Sequence, residues 1–328
     1  MLDRRDFLTA SAAATAAALA AMPFAAQAQS LDSAKILVGF PPGGTVDAMA
    51  RRVADKLRGS YAKSVIVENR PGAGGRIAAE ELRRSAADGS VMLLTPAAMI
   101  TLYPHLYSKL GYTPDDVTPV AGAANVAFAL GVGPAVPDSV KTVKDFLAWA
   151  KANPSKANYG SPGAGSPPHM VAALLGKEGG VELSHVPYRG SAPGIQDLLG
   201  GQVSAFSSPV GDYLPHVKAG KLRVLATSGP KRSRFLPDVA TYTEQGFKAL
   251  EQEEWYGLFM PAKVSPELVN RATTVVRDML TAADISEALA PFGLEPAYQS
   301  PTDLGRAVKT ENTAWGPIVK RVGFTPEQ

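Results

Sequence analysis

KILVGFPPGGT, residues 35–45, is the stretch that decides the fold class. The apolar run in its first half is typical of a strand that is buried on both faces. The prolines and glycines end that strand, and apolar residues then recur at helical spacing over residues 46–57. Thr45 is a candidate N-cap for this helix, and Asp47 in the first turn complements the positive end of the helix dipole. The stretch therefore predicts a strand, a tight glycine loop and a helix.

The same order of strand, glycine-rich loop and helix recurs three more times. This alternation predicts an α/β protein with mostly parallel sheets covered on both faces. Ser166 is predicted to cap one of the later helices, with Pro167 as its first residue, and Thr142 with Asp145 forms a candidate capping box. The four loops lie at residues 42–47, 71–75, 161–166 and 189–194.

The chain is predicted to form two α/β halves, with crossings between them near residues 131 and 254. Domain 1 then comprises residues 29–131 together with 254–328, and domain 2 comprises residues 132–253. Small ligands commonly bind in the cleft between two domains, so we expect a ligand there.

Residues 1–28 are interpreted as a twin-arginine-type signal peptide. Arg4-Arg5 precedes Phe7-Leu8, an alanine-rich stretch follows, and Ala26-Gln27-Ala28 fits the small-x-small cleavage rule. The apolar part is too short and too weakly apolar to span a bilayer. We therefore expect export to the periplasm, cleavage near Ala28 and no direct membrane insertion afterwards.

Composition and missing motifs argue against several functions. The absence of cysteine excludes disulfides, thiolate metal sites and a cysteine nucleophile. The net charge is only +3 and the basic residues form no stripe, so nucleic acid is not expected as a partner. The four histidines lack metal-ligand spacing, and neither a phosphate-binding loop nor a nucleophile elbow is present. We expect no cofactor, no metal and no catalytic residue, and hence not an enzyme.

The four loops are predicted to form an anion site. Each loop opens a helix, so backbone N–H groups and positive helix ends converge on the cleft. Glycine allows close approach of a ligand to the backbone, and a hydroxyl can donate to a carboxylate. A single glycine most often marks only a turn, but four loops at equivalent places favour the anion site. The candidate hydroxyl donors are Thr95, Ser161, Ser166 and Ser191.

Three further side chains near the loops each have two interpretations. His169 lies one helical turn beyond the third loop, where it either contacts the ligand or bonds to the neighbouring loop. Arg76 and Arg189 either pair with a distal carboxylate or remain solvated. We retain His169 among the candidate ligand-binding residues.

An ordered set of motifs runs through nearly all of the chain beyond residue 39. They are FPPGGTVD at 40–47, VENRPGAGG at 67–75, ADG at 87–89, YGSPGAGS at 159–166, VPYRGSAP at 186–193, DLLGGQV at 197–203 and WYGL at 255–258. In this order they resemble the substrate-binding proteins of tripartite tricarboxylate transporters, the Bordetella uptake gene type of periplasmic receptor. One glycine motif would be weak support, but the ordered set is specific.

The resemblance implies a two-domain, type II-like periplasmic binding protein fold with the ligand cleft between two α/β domains. It also implies capture of a small carboxylate, either a di- or tricarboxylate or an aromatic carboxylate, by domain closure and delivery to membrane subunits of such a transporter. Asp47 is expected to cap its loop or orient water. The ligand-binding residues carried over are Pro42, Gly43, Thr45, Asp47, Ala73, Gly74, Ser161, Gly165 and Ser166.

The strand after Val203 departs from the family pattern. Many relatives carry an acidic residue at its cleft-facing end, where this chain has Phe206-Ser207-Ser208-Pro209. An amino-acid ligand would lack a partner for its ammonium group, so we expect a ligand without positive charge. Two other functions stay open: a periplasmic ligand sensor for a signalling partner, and an exported enzyme for which no catalytic constellation is visible.

Overall fold

The apolar run that predicts the first strand is buried on both faces of a sheet. Ile36 and Val38 pack in one apolar cluster and Leu37 packs in another, and all three are fully buried. Their burial explains why the run is continuous rather than alternating. The computed structural model describes residues 31–323, and the predicted signal peptide lies outside this range. Within it, no helix combines the length and the apolar character of a membrane span.

Ten strands and eleven α-helices are described between residues 31 and 323. The strands are β1 (Leu31–Val38), β2 (Ala62–Asn69), β3 (Val91–Pro96), β4 (Val117–Val132), β5 (Asn158–Ser161), β6 (Ser184–Pro187), β7 (Ala205–Pro209), β8 (Arg223–Thr227), β9 (Glu253–Pro261) and β10 (Glu295–Gln299). The helices are α1 (Thr45–Leu57), α2 (Arg76–Arg84), α3 (Ala98–Thr101), α4 (Tyr103–Leu106), α5 (Val143–Ala152), α6 (Pro167–Glu178), α7 (Ser191–Leu199), α8 (Leu214–Lys218), α9 (Pro266–Leu280), α10 (Ile285–Leu289) and α11 (Pro301–Val322).

The strands form two sheets that share β4. The first sheet has the order β2-β1-β3-β9-β4-β10, and the second has the order β8-β4-β7-β5-β6. β4 pairs with β9 over residues 117–127 and with β7 over residues 128–132. We call the first sheet with its helices the first lobe, and the second sheet with its helices the second lobe.

The expectation of mostly parallel sheets is wrong. β1 is parallel to β2 and β3, and β5 is parallel to β6 and β7. Every antiparallel pair among the described strands includes β4 or β9. These are the two strands by which the chain passes between the lobes, so they are not part of a repeating strand-helix-strand unit, the connection that produces parallel pairs.

The chain passes from the first sheet to the second within β4, between Ala127 and Phe128. It pairs with the first sheet again from Glu253, the first residue of β9. The predicted crossings near residues 131 and 254 lie close to these points. The domain boundaries themselves stay predictions.

Two of the three predicted helix caps are confirmed. Thr142 and Asp145 form the capping box of α5, and Ser166 caps α6 with Pro167 at its first position. The prediction for α1 is wrong, because Gly44 is the N-cap and Thr45 is already helical. The Thr45 hydroxyl instead lies 2.7 Å from the hydroxyl of Tyr256 on β9.

Candidate ligand-binding cleft

A cavity of about 660 Å³ lies between the two sheets and is lined by residues from all four predicted loops. Half of the predicted ligand-binding residues lie in its wall, namely Pro42, Gly43, Thr45, Gly74, Ser166 and Ser191. The structure does not place the other six in the wall, namely Asp47, Ala73, Thr95, Ser161, Gly165 and His169. The loops therefore converge as predicted, while half of the chosen side chains lie behind them.

Asp47 holds the first loop in place without lining the cavity. It is only 2% exposed. Its Oδ2 accepts the backbone N–H of Gly43 at 2.9 Å and Nε–H of Arg51 at 2.8 Å, and its Oδ1 accepts from Asn69 at 2.9 Å. Burial alone would raise the pKa of this carboxyl, but the bonds from Arg51, Gly43 and Asn69 hold the pKa below its usual value. An ionised carboxylate therefore caps the loop, one of the two roles expected for it.

The second loop has an unusual backbone. Ala73, Gly74 and Gly75 are successive residues with φ of 48°, 65° and 94°. Side chains rarely tolerate this region, which explains the glycines. The Tyr103 hydroxyl donates to the Gly74 carbonyl at 3.1 Å, and Arg76 Nε donates to the Ala73 carbonyl at 2.8 Å. Arg76 therefore stabilises the loop by this hydrogen bond and does not line the cleft, whereas Gly74 lies in the cleft wall.

Two stacked histidines support the third loop from behind. Nδ1 of His169 accepts the Gly165 N–H at 2.9 Å, and Nε2 of His185 lies 2.8 Å from the Ser161 hydroxyl. The two rings stack with centroids 3.9 Å apart. The Ser161 hydroxyl also lies 3.1 Å from the Gly163 carbonyl, so its single proton has two acceptors within reach. The geometry fits the interpretation of His169 as a support of its neighbouring loop.

Both of these rings are neutral at neutral pH. Burial, with a smaller contribution from the facing His185, lowers the pKa of His169 to about 3. Burial lowers the pKa of His185 to about 4. A serine beside a histidine is also a pattern of hydrolases, in which the histidine must accept the serine proton. Here Ser161 is fully buried and does not lie in the cleft wall, so its hydroxyl is not placed to attack a bound ligand.

The fourth loop joins a hydrogen-bonded cluster that includes a carboxyl. Ser208 donates to Asp212, and its hydroxyl lies 2.9 Å from that of Ser191. Burial raises the pKa of Asp212 even though Ser191 and Ser208 bond to it. Asp212 and Arg189 both lie in the cleft wall.

The cleft floor is formed by residues near the crossing strands. Glu254 and Tyr256 of β9 lie there together with Phe128 of β4. The structure does not place Thr95, a predicted ligand contact, in the cleft wall. Thr95 is fully buried, and its hydroxyl is turned towards Met99 Sδ at 2.7 Å.

Asp212 and Glu254 are cleft residues that the sequence interpretation missed. The departure from the family pattern at residues 206–209 therefore does not leave the cleft without a carboxyl, because Asp212 follows three residues later, lies in the cleft wall and accepts from Ser208. Glu254 carried a usable signal, since it is an acid at the start of a continuously apolar strand. Among residues 31–323, no three His, Asp or Glu side chains are placed to hold a metal ion.

Comparison with known proteins identifies the family. The profile described as tripartite tricarboxylate transporter family receptor matches residues 49–324. The UPF0065 protein in the gbd 5'region of Cupriavidus necator is 34% identical over 334 aligned residues, which cover 100% of both chains.

Solved structures agree with this assignment. The structure of R. palustris Rpa4515 with adipate has a TM-score of 0.84 and 32% identity, covering 90% of this chain and 98% of the other. The periplasmic binding protein BugD has a TM-score of 0.82 and 28% identity, covering 90% and 99%. The expected fold, a two-lobed α/β periplasmic binding protein, is confirmed. The chain belongs to the tripartite tricarboxylate transporter family of receptors.

Proposed function

We propose that this protein captures a small organic carboxylate in the periplasm and delivers it to membrane subunits of a tripartite tricarboxylate transporter. The observation that carries the proposal is the convergence of four helix-opening loops from both lobes on one cavity. Helix N-termini present unpaired N–H groups and a positive dipole end, which favour an anion. Of the wall residues in the described range, Arg189 is the one Lys or Arg side chain, and it adds positive charge.

Binding is proposed to close the two lobes on the ligand. Contacts from the second lobe to a ligand seated on the first stabilise the closed form by differential affinity. Asp47, Ala73, Ser161, Gly165 and His169 position the loops. The proposed contact residues are Pro42, Gly43, Thr45, Gly74, Ser166 and Ser191. We propose the predicted boundaries for the two domains that close, namely residues 29–131 with 254–328 and residues 132–253.

The ligand is proposed to combine carboxylate ends with an apolar body. Phe40, Tyr103 and Phe128 contribute apolar surface to the wall between the loops. Adipate, which the Rpa4515 structure contains, has this character. Di- and tricarboxylates and aromatic carboxylates are therefore the classes to test.

A thermal-shift screen of residues 29–328 tests the proposal. The panel contains adipate, malate, citrate and benzoate, with adipamide as an uncharged control that has the same length as adipate. A true ligand at a hundred times its Kd stabilises the folded protein by about 2.7 kcal/mol. We expect stabilisation by one carboxylate class and none by adipamide. Equal responses to adipate and adipamide, or no response from protein shown by mass spectrometry to be ligand-free, would contradict the proposal.

Export and delivery need separate measurements. N-terminal sequencing of protein recovered from the periplasm is expected to begin at Gln29. Uptake of the radiolabelled ligand is expected to require the gene for this chain. Undiminished uptake after deletion of the gene would contradict delivery to a transporter.

A further inference from the structure

Glu254 is an acidic side chain in the floor of the cleft. It lies on β9 opposite Val126, beside the point where β4 passes between the sheets. The residue contributes to the cavity wall although it is only 6% exposed. Its Oε1 accepts the backbone N–H of Ala98 at 3.1 Å. The carboxyl group is thereby fixed in place, which leaves Oε2 for a ligand.

The surroundings of Glu254 do not stabilise a negative charge. No lysine or arginine in residues 31–323 forms an ion pair with it. The titratable groups that face it are Glu311 on α11, Tyr103 on α4 and Tyr256 on its own strand. All three are acids, so none offers a compensating positive charge.

A buried carboxyl without a cation avoids the cost of charge burial by keeping its proton. Burial, with a smaller contribution from Glu311, raises the pKa of Glu254 to about 8 against the lowering effect of the Ala98 N–H. The pKa of Glu311 is itself raised to about 7 by burial. At neutral pH the floor of the cleft therefore presents a neutral hydroxyl donor.

We propose that Glu254 binds the ligand as a neutral carboxylic acid, with Oε2–H donating to the distal carboxylate of a dicarboxylate. The inference rests on the proposed function and narrows the ligand class to dicarboxylates. The helix N-termini bind one carboxylate, and Glu254 binds the other. A bond from a neutral acid to a carboxylate is charge-assisted and short. The proton remains on Glu254, so no group is transferred. An ionised Glu254 would repel the same ligand end.

The affinity for such a ligand is then expected to fall as the pH rises above the pKa of Glu254. Glu254 is mostly protonated below its pKa, so affinity is nearly constant there. Above the pKa only the protonated fraction binds, and affinity falls tenfold for each pH unit. From about pH 7 to about pH 9.5, Kd is expected to rise roughly thirtyfold. Asp212 and His216 also line the cavity, on the second lobe, and require a control.

Isothermal titration calorimetry with adipate and hexanoate tests the inference across that range. Hexanoate has the same chain length but lacks the distal carboxylate, so its Kd is expected to change less than threefold. Glu254→Gln keeps an acceptor for Ala98 and an N–H donor for the ligand but does not titrate. This variant is expected to bind adipate at neutral pH within about threefold of wild type and to lose the pH dependence. Asp212→Asn is expected to retain it.

Proton uptake gives a second readout that needs no variant. Titrations of wild type at about pH 9 in two buffers of different ionisation enthalpy are expected to show uptake of nearly one proton per adipate. Release of a proton, or no change, would overturn the inference even if Glu254→Gln failed to fold.

The remaining outcomes separate this inference from the proposed function. A pH dependence that is absent in wild type or persists in Glu254→Gln overturns the inference alone. Binding of monocarboxylates without dicarboxylates does the same. If no carboxylate of the thermal-shift panel binds at any pH, the proposed function fails and this inference fails with it.

Discussion

The first loop and the third loop each connect a buried strand to a helix whose N-terminus faces the cleft. In the first lobe the supporting group is Asp47, an ionised carboxylate that accepts the N–H of Gly43. In the second lobe it is His169, a neutral ring that accepts the N–H of Gly165. Each group stabilises its loop by accepting a backbone N–H, but the acceptor is charged in the first lobe and uncharged in the second. The lobes should therefore respond differently to acid.

The signs of the two responses follow from the pKa shifts. The pKa of Asp47 is lower in the folded state, so its contribution is complete above about pH 4 and is lost as the pH falls further. The folded pKa values of His169 and His185 are about 3 and about 4, below the unfolded value of about 6.5. Protons then favour the unfolded state from about pH 6.5 downward. Mild acid should weaken the second lobe first.

The largest expected effect comes from removing the charged support. Asp47→Ala leaves Gly43 and Asn69 without their acceptor and separates Arg51 from its carboxylate. We expect a loss of about 3 kcal/mol in the free energy of unfolding, measured by urea denaturation. Asp55→Ala is the matched control, because Asp55 is an exposed residue of the same helix paired with exposed Arg58. That control should change stability by less than about 0.5 kcal/mol. Equal effects would break the comparison.

A double variant tests the uncharged support. In His169→Asn with His185→Gln, side-chain amides replace the acceptor to Gly165 and the hydrogen-bond partner of the Ser161 hydroxyl without titrating. Wild type is expected to lose about 2 kcal/mol relative to this variant between about pH 7.5 and about pH 5.5. The quantity to compare is the difference in stability between wild type and the double variant at each pH. Glu254 and Glu311 have raised pKa values, so they stabilise both proteins as the pH falls over the same range. Parallel stability curves for the two proteins would contradict the assignment of neutral histidines.

Glycine substitutions compare two positions in the cleft wall. Gly74 has φ of 65°, and a Cβ there would lie 2.9 Å from the Tyr103 hydroxyl. We expect Gly74→Ala to cost about 1–2 kcal/mol of stability and to weaken ligand binding about tenfold, measured by calorimetry. A Cβ at Gly163 meets no atom within 4 Å. Gly163→Ala should bind the ligand almost as tightly as wild type. If Gly163→Ala bound more weakly than Gly74→Ala, the third loop would contribute more to binding than the second.

The smallest effect concerns the helix caps. Ser166 caps α6 with its side chain, whereas α1 has Gly44 as N-cap without a side-chain bond. Ser166→Ala should lower the free energy of unfolding by about 1 kcal/mol, and Ser166→Gly by only a few tenths. The glycine variant makes the second-lobe helix resemble the first-lobe helix. A larger cost for glycine than for alanine would show that the cap does not act through its hydrogen bond.

Local signals in the sequence were sufficient for most of the fold. Most of the first nine strands contain apolar runs, the short β5 and β6 being exceptions, and the loops that open α1, α2, α6 and α7 contain glycine, serine or proline at the turns. β10 was missed because its residues Glu295–Gln299 include a proline and are all only half-buried. The antiparallel pairs of β4 and β9 were also missed, because no local pattern records which strands cross between lobes.

Only those features of the cleft that depend on neighbouring residues in the sequence could be predicted. The loops converge because each follows a strand end, which the sequence shows. Glu254 and Tyr256 enter the cleft through the pairing of β9 with β4, a contact between residues far apart in sequence. Thr95 lies at a strand end, but its hydroxyl contacts Met99 and does not line the cavity, which no local pattern shows. Asp47 and His169 were predicted to bind the ligand, whereas the structure places them behind the loops that line the cavity.

A crystal structure with a bound dicarboxylate would show directly how the cleft holds its ligand. We expect one carboxylate within about 2.7–3.2 Å of backbone N–H groups or hydroxyls from both lobes, including the loops at Gly74, Ser166 and Ser191. We expect the distal carboxylate within hydrogen-bond distance of Glu254. A ligand bound outside the cleft, or one held by the Arg189 side chain without contact to any backbone N–H group or hydroxyl of the four loops, would contradict this expectation.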